Sequence, residues 1–265
     1  MPLRKGSPLK ILQLSDSHIS AVYGADYRGQ NADQNLERLI PAMCAWKPDL
    51  LLLSGDISED ASPASYSRVA AMLTTLAVPV LALPGNHDLP EEMKRHFPQG
   101  PWRGPLVHRS GPWSLVLMDS TAPGCIAGSF NQNDLAGLDK LLRESSAEFI
   151  LVALHHQPVP VNAPWIDRYG LENPARFFES VDRDERVGCI AWGHIHHDFR
   201  AIRNGVALLG APSAAANSLP ATQRFTLDPG GPGCRWLELG LDGTVKTGVL
   251  WPDQSSTGNT SQRMR

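Results

Sequence analysis

The sequence lacks the features of a membrane protein and of a nucleic-acid-binding protein. No apolar stretch approaches the roughly 20 residues that cross a bilayer, and the apolar segment near the start is too short for a secretory signal. Positive charge is not in excess, since 24 Lys and Arg stand against 27 Asp and Glu. We therefore expect a cytoplasmic protein without a membrane or nucleic-acid partner, in which an anionic substrate needs a local positive centre.

Cysteine is scarce and scattered. The four cysteines are Cys44, Cys125, Cys189 and Cys234, and no two of them form a Cys-x-x-Cys pair. This spacing does not support a zinc finger, and a disulfide framework is not expected in a chain of this length without an export signal. We expect buried or inert thiols. A metal site would therefore be built from His, Asp and Asn.

Short apolar runs recur along the chain, and most of them end in polar residues. They cover residues 9–14, 48–53, 78–83, 113–118, 149–154 and 187–192. Continuous apolar runs of this length, bounded by glycine and proline, are typical of strands that are buried on both faces. Helical patterns lie between several of them, at 31–46, 62–76, 133–145 and 173–181. The first of these helices contains Pro41, which is expected to disturb it.

The pattern changes after residue 198, where Asn204-Gly205 and Asp242-Gly243 are strong hairpin signals. No convincing linker separates this part from the first. We predict an α/β fold in which two sheets pack together with helices outside. A single domain is expected over residues 1–252, followed by a disordered polar tail over 253–265.

Five clusters of polar residues follow the predicted strands, at the strand ends where ligands gather in open α/β sheets. The clusters are Asp16 with His18, Asp56, Asn86-His87-Asp88, His155-His156, and His194 with His196. Seven of the nine histidines lie in these clusters or directly beside them. Each cluster alone has a structural interpretation as a turn or cap, and His155 and His156 could be one core and one surface residue. Five in succession favour a functional site.

The ligand types in these clusters indicate a metal site of a particular kind. Aspartate, histidine and asparagine without thiolate suit manganese, iron or zinc. The candidate ligands are too many for one ion, and two ions about 3.5–4 Å apart form the clamp that cleaves phosphoesters. One carboxylate must then bridge the ions, and Asp56, alone at its strand end, is the natural candidate.

The clusters, taken in order, resemble the signature of the calcineurin-like metallophosphoesterases over residues of about 10–200. The matching elements are Asp16-x-His18, Gly55-Asp56, Gly85-Asn86-His87-Asp88, His156 two before Pro158, and Gly193-His194-x-His196. Further stretches, among them LHHQPVP, PWIDRYGLEN and FTLDPGGPGCRWLEL, are similar to the bacterial class III 3′,5′-cyclic AMP phosphodiesterases nearly to the C-terminus. The resemblance implies a four-layer α/β/β/α sandwich of two mixed sheets flanked by helices.

The resemblance also implies roles for single residues. Two divalent ions are expected, Fe²⁺ in the first place, with Mn²⁺ or Zn²⁺ as alternatives. One ion would be held by Asp16, His18, Asp56 and His196, and the other by Asp56, Asn86, His156 and His194. His87 would contact the phosphate and protonate the leaving alkoxide, and Asp88 would orient the His87 ring. The residues implied to face the substrate are His18, Asp56, Asn86, His87 and His196.

Some positions depart from the family pattern or stay open. Asp134 and Gly137 stand where relatives usually have Gln and Trp, and both are expected to be structural. The residues AAAN after Gly210-Ala211-Pro212-Ser213 replace a different set in relatives and could shape the substrate pocket. Trp165, Asp167 and Asn173 either line the cleft or cap the following helix. His194 and His196 are expected to face one way along an extended segment, with His197 facing the other way, behind the direct ligands or at the surface.

Three functions are weighed. The leading one is hydrolysis of 3′,5′-cyclic AMP to 5′-AMP by in-line attack of a metal-bound hydroxide. The second keeps the enzyme but changes the substrate to glycerophosphodiesters or other small phosphodiesters, because the motif residues contact phosphate and not base. The third is a metal-binding regulatory or scaffold protein, against which the intact Asn86-His87-Asp88 argues. The oligomeric state is open, and a homodimer is one candidate.

Overall fold

Strands and helices alternate through the first half of the chain. This computed structural model describes residues 6–252 and 262–264. The strands are β1 Leu9–Leu14, β2 Asp26–Tyr27, β3 Gln30–Asn31, β4 Leu50–Ser54, β5 Val80–Leu83, β6 Leu106–Ser110, β7 Trp113–Leu117, β8 Phe149–Ala153, β9 Val187–Trp192, β10 Phe199–Arg203, β11 Val206–Gly210, β12 Cys234–Leu239, β13 Val245–Leu250 and β14 Gln262–Met264. The helices are α1 Ala32–Trp46, α2 Pro63–Leu73, α3 Pro90–His96, α4 Gln132–Glu144, α5 Pro164–Asp167 and α6 Pro174–Val181, with a 3₁₀ turn at Thr74–Leu76.

Two mixed sheets of six strands each make up the centre of the molecule. The first has the order β14-β13-β12-β1-β4-β5, and the second has the order β10-β11-β9-β8-β7-β6. In the first sheet β1, β4 and β5 run parallel, and in the second β7, β8, β9 and β11 do. The parallel strands therefore deliver their carboxyl ends, and the residues that follow them, to one edge of each sheet.

Alternation along the central strands produces three apolar layers. In β4, Leu50 and Leu52 pack in the core between the two sheets, whereas Leu51 and Leu53 pack against Leu36 of α1 and its neighbours. The same alternation in β8 turns every second residue toward α4, α5 and α6. Helices therefore cover both outer faces, and the predicted four-layer α/β/β/α sandwich is confirmed.

The elements that the sequence indicated are present with small shifts at their ends. The side chain of Asn31 caps α1 by accepting the N–H of Gln34, and Ser62 caps α2 in the same way. Helix α1 continues through Pro41. Both hairpins form at the Gly205 and Gly243 turns, which have φ of +82°. The short β6, α3 and α5 were not expected from the sequence.

The C-terminal tail differs in part from the expectation of disorder. Backbone groups of Gln262–Met264 pair antiparallel with β13, because an edge strand offers unpaired N–H and C=O groups to any segment that can lie beside it. The remaining residues of the predicted tail, 253–261 and 265, lie outside the described residues. Within the part of the chain that is described, no helix combines the length and the apolar character needed to cross a membrane.

Candidate metal centre

All five predicted clusters meet at one place, where the strand ends of the two sheets face each other. Hydrogen bonds tie the loops together, both between the two sheets and within the second sheet. The N–H of His194 donates to Oδ2 of Asp16 at 3.0 Å, and the N–H of Gly193 donates to the carbonyl of His155 at 3.1 Å. Gly193 permits this approach, because a Cβ there would lie 2.7 Å from the Ser54 carbonyl oxygen.

Five of the predicted ligands have a left-handed backbone, which non-glycine residues rarely adopt. The φ angles are 53° at Asp16, 43° at His18, 51° at Asp56, 66° at His194 and 54° at His196. Such residues cost about 1–3 kcal/mol each and cluster at functional sites. The expectation of an extended 194–197 segment is therefore wrong, since left-handed turns at His194 and His196, and not strand alternation, direct the chain here.

Asp16, His18 and His196 form the first group of potential ligands. The Nε2 atoms of His18 and His196 lie 3.3 Å apart, and Nε2 of His196 lies 3.2 Å from Oδ1 of Asp16. The opposite ring nitrogens are fixed, because Nδ1 of His18 contacts Oε2 of Glu59 at 2.7 Å and Nδ1 of His196 contacts the Ala216 carbonyl at 2.8 Å. Both rings therefore present Nε2 to the same point, as metal-ligating histidines do.

The second group contains His155, His156 and His194, which all offer nitrogen atoms within 4.8 Å of one another. The Nδ1 atom of His155 contacts the Ser54 carbonyl at 2.7 Å. Its Nε2 is buried without a hydrogen-bond partner among the described residues, and so is Nε2 of His194. Both atoms are therefore available to a cation.

His156 is placed differently from what the sequence predicted for it. Its Nδ1 contacts Oγ of Ser120 at 2.8 Å, and its Nε2 contacts the Ile126 carbonyl at 3.0 Å. A metal could reach His156 only by replacing one of these contacts. His155, for which a core or surface role was left open, is fully buried and has the free nitrogen.

Asp56 lies where the two groups meet. Its Oδ2 is 3.5 Å from Nε2 of His155 and 3.7 Å from Nε2 of His18, and its Oδ1 accepts the N–H of His87 at 2.9 Å. The nearby Asn86 has a buried Oδ1 with no hydrogen-bond partner in the part of the chain that is described. Asp56 is the residue best placed to bridge two ions.

The protonation states of His194 and Asp56 fit metal ligands, whereas His155 carries a proton that an ion would have to displace. Burial lowers the pKa of His194 well below its usual range, so the ring is neutral and has a lone pair to donate. Burial raises the pKa of Asp56, but His155 and His18 outweigh this and hold it well below its usual value. The pKa of His155 is lowered by burial and raised more strongly by Asp56, to about 9.

Orphaned buried polar atoms are costly, and a divalent cation would pair them. The nitrogen and oxygen donors match manganese, iron or zinc. Binding would displace the proton that His155 holds at its raised pKa, because ligands must be deprotonated. The residues present therefore fit divalent ions.

His87 and Asp88 do not interact as the resemblance implied. The carboxylate of Asp88 accepts the N–H groups of Ile57, Ser58 and Gly85 and the hydroxyl of Tyr66, so its oxygens are committed to holding two loops. The expected orientation of the His87 ring by Asp88 is therefore corrected.

Glu59, which the sequence did not single out, orients His87 instead. Its Oε2 lies 3.2 Å from Nδ1 of His87 and is the same atom that contacts His18. The hydrogen bond with Glu59 is the main cause that raises the pKa of His87, to about 9. The sequence shows an acidic residue three positions after Asp56. It does not show that this carboxylate contacts two histidines.

Of the residues with more than one predicted role, some stabilise a loop or helix end and one lies beside the site. Asp167 accepts the N–H groups of Val161 and Ala163 and so holds the loop before α5. Asn173 is the N-cap residue of α6 without a side-chain bond. Trp165 has its ring centroid 6.3 Å from that of His196 and does adjoin the site. His197 is buried, with Nδ1 on the Ile195 carbonyl at 2.8 Å, so a surface role is wrong.

The two departures from the family pattern have structural explanations. Asp134 accepts the N–H of Asn131 and completes the capping box of α4. The alanines at 214–216 are buried in the apolar layer beneath the first sheet, where the Ala216 carbonyl holds His196.

The fold and this centre together define a metallophosphoesterase, and the sequence comparison agrees. The calcineurin-like phosphoesterase model matches residues 9–198, and the chain belongs to that family. It is 36% identical over 241 residues to a Pseudomonas aeruginosa protein named 3′,5′-cyclic adenosine monophosphate phosphodiesterase CpdA, covering 90% of this chain and 88% of that protein.

Two further comparisons support the same placement. A Nostoc protein named 3′,5′-cyclic-nucleotide phosphodiesterase is 32% identical, over 91% of this chain and 92% of that protein. A dimetal phosphatase from Danio rerio superposes with a TM-score of 0.73 over 98% of this chain and 100% of that chain. At 13% identity, this last likeness is one of fold alone.

Proposed function

We propose that the protein is a dinuclear metal phosphodiesterase that hydrolyses 3′,5′-cyclic AMP to 5′-AMP. The observation that carries the proposal is the position of Asp56 between two sets of buried ligand atoms, several of which have no other partner. The named activities of the Pseudomonas and Nostoc relatives support the choice of a cyclic nucleotide as substrate.

The proposed ligand sets follow from the contacts. Asp16, His18 and His196 would hold one ion and share Asp56 with the second. For the second ion we propose Asn86, His155 and His194, with His155 in place of His156, the ligand predicted from the sequence. Fe²⁺, Mn²⁺ and Zn²⁺ all suit these donors, with Fe²⁺ proposed first.

When bound, the two ions would supply an activated water and offset the charge on the phosphate oxygens. The chain's own residues complete the reaction. Glu59 contacts Nδ1 of both His18 and His87, so it fixes the two rings relative to each other. The N–H of His87 is held on Asp56, which places this residue beside the ligands.

With Nδ1 turned to Glu59, the other ring nitrogen of His87 is left to face the substrate. We propose that it donates its proton to the departing 3′ oxygen, which leaves the phosphate on the 5′ oxygen. A positioned acid of this kind typically contributes about 10²–10⁴-fold to the rate.

The test is a substrate panel with protein reconstituted in turn with Fe²⁺, Mn²⁺ and Zn²⁺. We expect cyclic AMP to be converted to 5′-AMP, identified by chromatography against 3′-AMP. Cleavage of glycerophosphodiesters with cyclic AMP left intact would replace the substrate but keep the enzyme class. Failure to cleave any phosphodiester with any of the three metals would leave a metal-binding protein without this activity.

A further inference from the structure

Three aromatic side chains and one arginine adjoin the His18–His196 side of the centre. The ring of Tyr27 stacks on that of His18, with centroids 4.0 Å apart and planes inclined by 12°. Trp165 and Phe225 have ring centroids 6.3 and 6.2 Å from that of His196. They come from three separate segments, the β2–β3 hairpin, helix α5 and the loop before β12. An aromatic wall therefore stands directly beside the first group of ligands.

Arg28 sits over this wall with most of its hydrogen-bonding capacity unused. Its guanidinium carbon lies 4.3 Å from the ring centroid of Phe225, 5.5 Å from that of Tyr27 and 5.9 Å from that of Trp165. Its Nε donates to the Tyr27 hydroxyl at 3.2 Å. The terminal nitrogens make no hydrogen bond to any residue that the structure describes. Cation–π contacts thus hold a solvent-exposed charged donor pair in place, with its terminal nitrogens bonded to none of the described residues.

The indole nitrogen of Trp165 is a second unused donor. It is buried and has no hydrogen-bond partner among residues 6–252, although buried N–H groups of tryptophan usually have one. Trp165 and Phe225 are both half-buried, and Arg28 is exposed, so each keeps part of its surface open to a ligand. These features together describe a site for a flat ring that carries hydrogen-bond acceptors.

Resting on the proposed function, we infer that Arg28, Trp165 and Phe225 form a purine-base subsite that favours guanine, so that cyclic GMP is also a substrate. In a cyclic nucleotide only the ribose separates the scissile phosphate from the base. A phosphate held at the ligand cluster therefore places the base within reach of the adjoining wall. Aromatic rings and arginine planes are the surfaces on which proteins stack unpaired bases.

The preference follows from donor and acceptor patterns. Guanine presents two acceptors, O6 and N7, on one edge, and an arginine pairs with both. Adenine presents N7 beside an amino group, which is a donor and faces the arginine unfavourably. Glutamine, which carries one donor and one acceptor, pairs instead with that adenine edge. Arg28 therefore selects between the bases without touching the phosphate.

The test compares kcat/KM for cyclic GMP and cyclic AMP in the wild type, Arg28→Leu, Arg28→Gln and Trp165→Leu. We expect Arg28→Leu to lower the cyclic GMP to cyclic AMP ratio about tenfold, and Arg28→Gln to shift it further toward cyclic AMP. Trp165→Leu should lower both values about tenfold through KM, because stacking is indifferent to the base. In all three variants the rate with methyl p-nitrophenyl phosphate, which has no base, should fall less than the rates with the nucleotides.

Arg176→Leu, which removes an exposed arginine from α6, is the matched control and should leave the ratio unchanged. Leu and Gln at position 28 adopt the same left-handed backbone, with φ of 54°, as the arginine does. The variants therefore add no backbone strain that the wild type lacks. An unchanged ratio in both Arg28 variants would overturn the inference. An equal fall for cyclic GMP, cyclic AMP and methyl p-nitrophenyl phosphate would also overturn it, because Arg28 would then act on phosphate charge alone.

A binding measurement separates this inference from the proposed function. Calorimetry with slowly hydrolysed phosphorothioate analogues of cyclic GMP and cyclic AMP gives affinities without turnover. If the analogues bind with an Arg28-dependent guanine preference while neither nucleotide is cleaved, the subsite stands and the proposed function fails. If both nucleotides are cleaved but neither affinity nor ratio depends on Arg28, the subsite fails and the proposed function stands.

Discussion

Replacing His155 with asparagine should remove one of two bound metal ions and lower the phosphodiesterase rate at least about 10³-fold. The reason is the free Nε2 of His155, which is buried 3.5 Å from Oδ2 of Asp56 and has no other described partner. A metal ion at such a site contributes several kcal/mol of charge stabilisation in the transition state. Metal content by plasma mass spectrometry and the rate at saturating Mn²⁺ measure the two effects.

His156→Asn is the matched control, because the two histidines are adjacent and both are fully buried. It removes the contacts with Ser120 and Ile126 but no free ligand atom. We expect it to keep both ions, with any loss confined to stability. The opposite result, with His156→Asn losing an ion and His155→Asn keeping both, would reinstate the ligand that the sequence indicated.

Replacing Glu59 with glutamine should move the alkaline limb of the pH–rate profile about two units downward. The Glu59 hydrogen bond is the main cause of the raised pKa of His87, about 9 against an ordinary 6.5. His87 must carry a proton to act as an acid, so its activity persists below its pKa and is lost as the pH rises through it. Without the Glu59 charge the loss begins near neutrality, and a two-unit drop in this pKa lowers the protonated fraction at pH 8 about tenfold.

Two comparisons make this experiment specific. A substrate with a nitrophenolate leaving group, which departs without protonation, should lose little rate in Glu59→Gln at saturating metal. Glu91→Gln, which removes an exposed carboxylate on α3, should leave the profile in place. Bound ions would lower the pKa of His87 in both proteins alike, so the difference between the profiles is the quantity to compare. Profiles that coincide at saturating metal would show that Glu59 does not tune His87.

The sequence predicted the layers of the fold well because burial on both faces leaves a strong local pattern. Runs such as 9–14 and 187–192 coincide with β1 and β9 at both ends. The Asn31 and Ser62 caps act within three residues, so they too were visible in the sequence. Strand β6, by contrast, has no fully buried residue and no continuous apolar run, and helix α5 has only four residues.

The candidate site was predicted in its location but not in all its contacts. The clusters at strand ends follow from topology, which the sequence pattern specifies. The choice between His155 and His156 depends on which ring forms hydrogen bonds with the neighbouring loops. Here Ser120 and Ile126 bind the His156 ring from 36 and 30 residues away in the sequence. Likewise, Asp88 is held by backbone N–H groups of a distant loop. Pairings of this kind arise only in the folded chain.

The aromatic wall shows the same limit for substrate recognition. More than a hundred residues separate Arg28 from Trp165 in the sequence, and about sixty separate Trp165 from Phe225, so the family-like stretches that contain Trp165 and Phe225 do not show that the two rings meet. The left-handed backbone at Arg28 and the capping residues around α5 bring them together. The sequence therefore indicates the phosphate chemistry but not how Arg28 joins Trp165 and Phe225 in the proposed base subsite.

The two-metal centre is tested most directly by anomalous diffraction from crystals of the protein grown with Mn²⁺. We expect two peaks about 3.5–4 Å apart, with Asp56 between them, His155 in contact with one and His156 still on Ser120. A single peak, or two peaks that do not share Asp56, would contradict the proposed dinuclear centre.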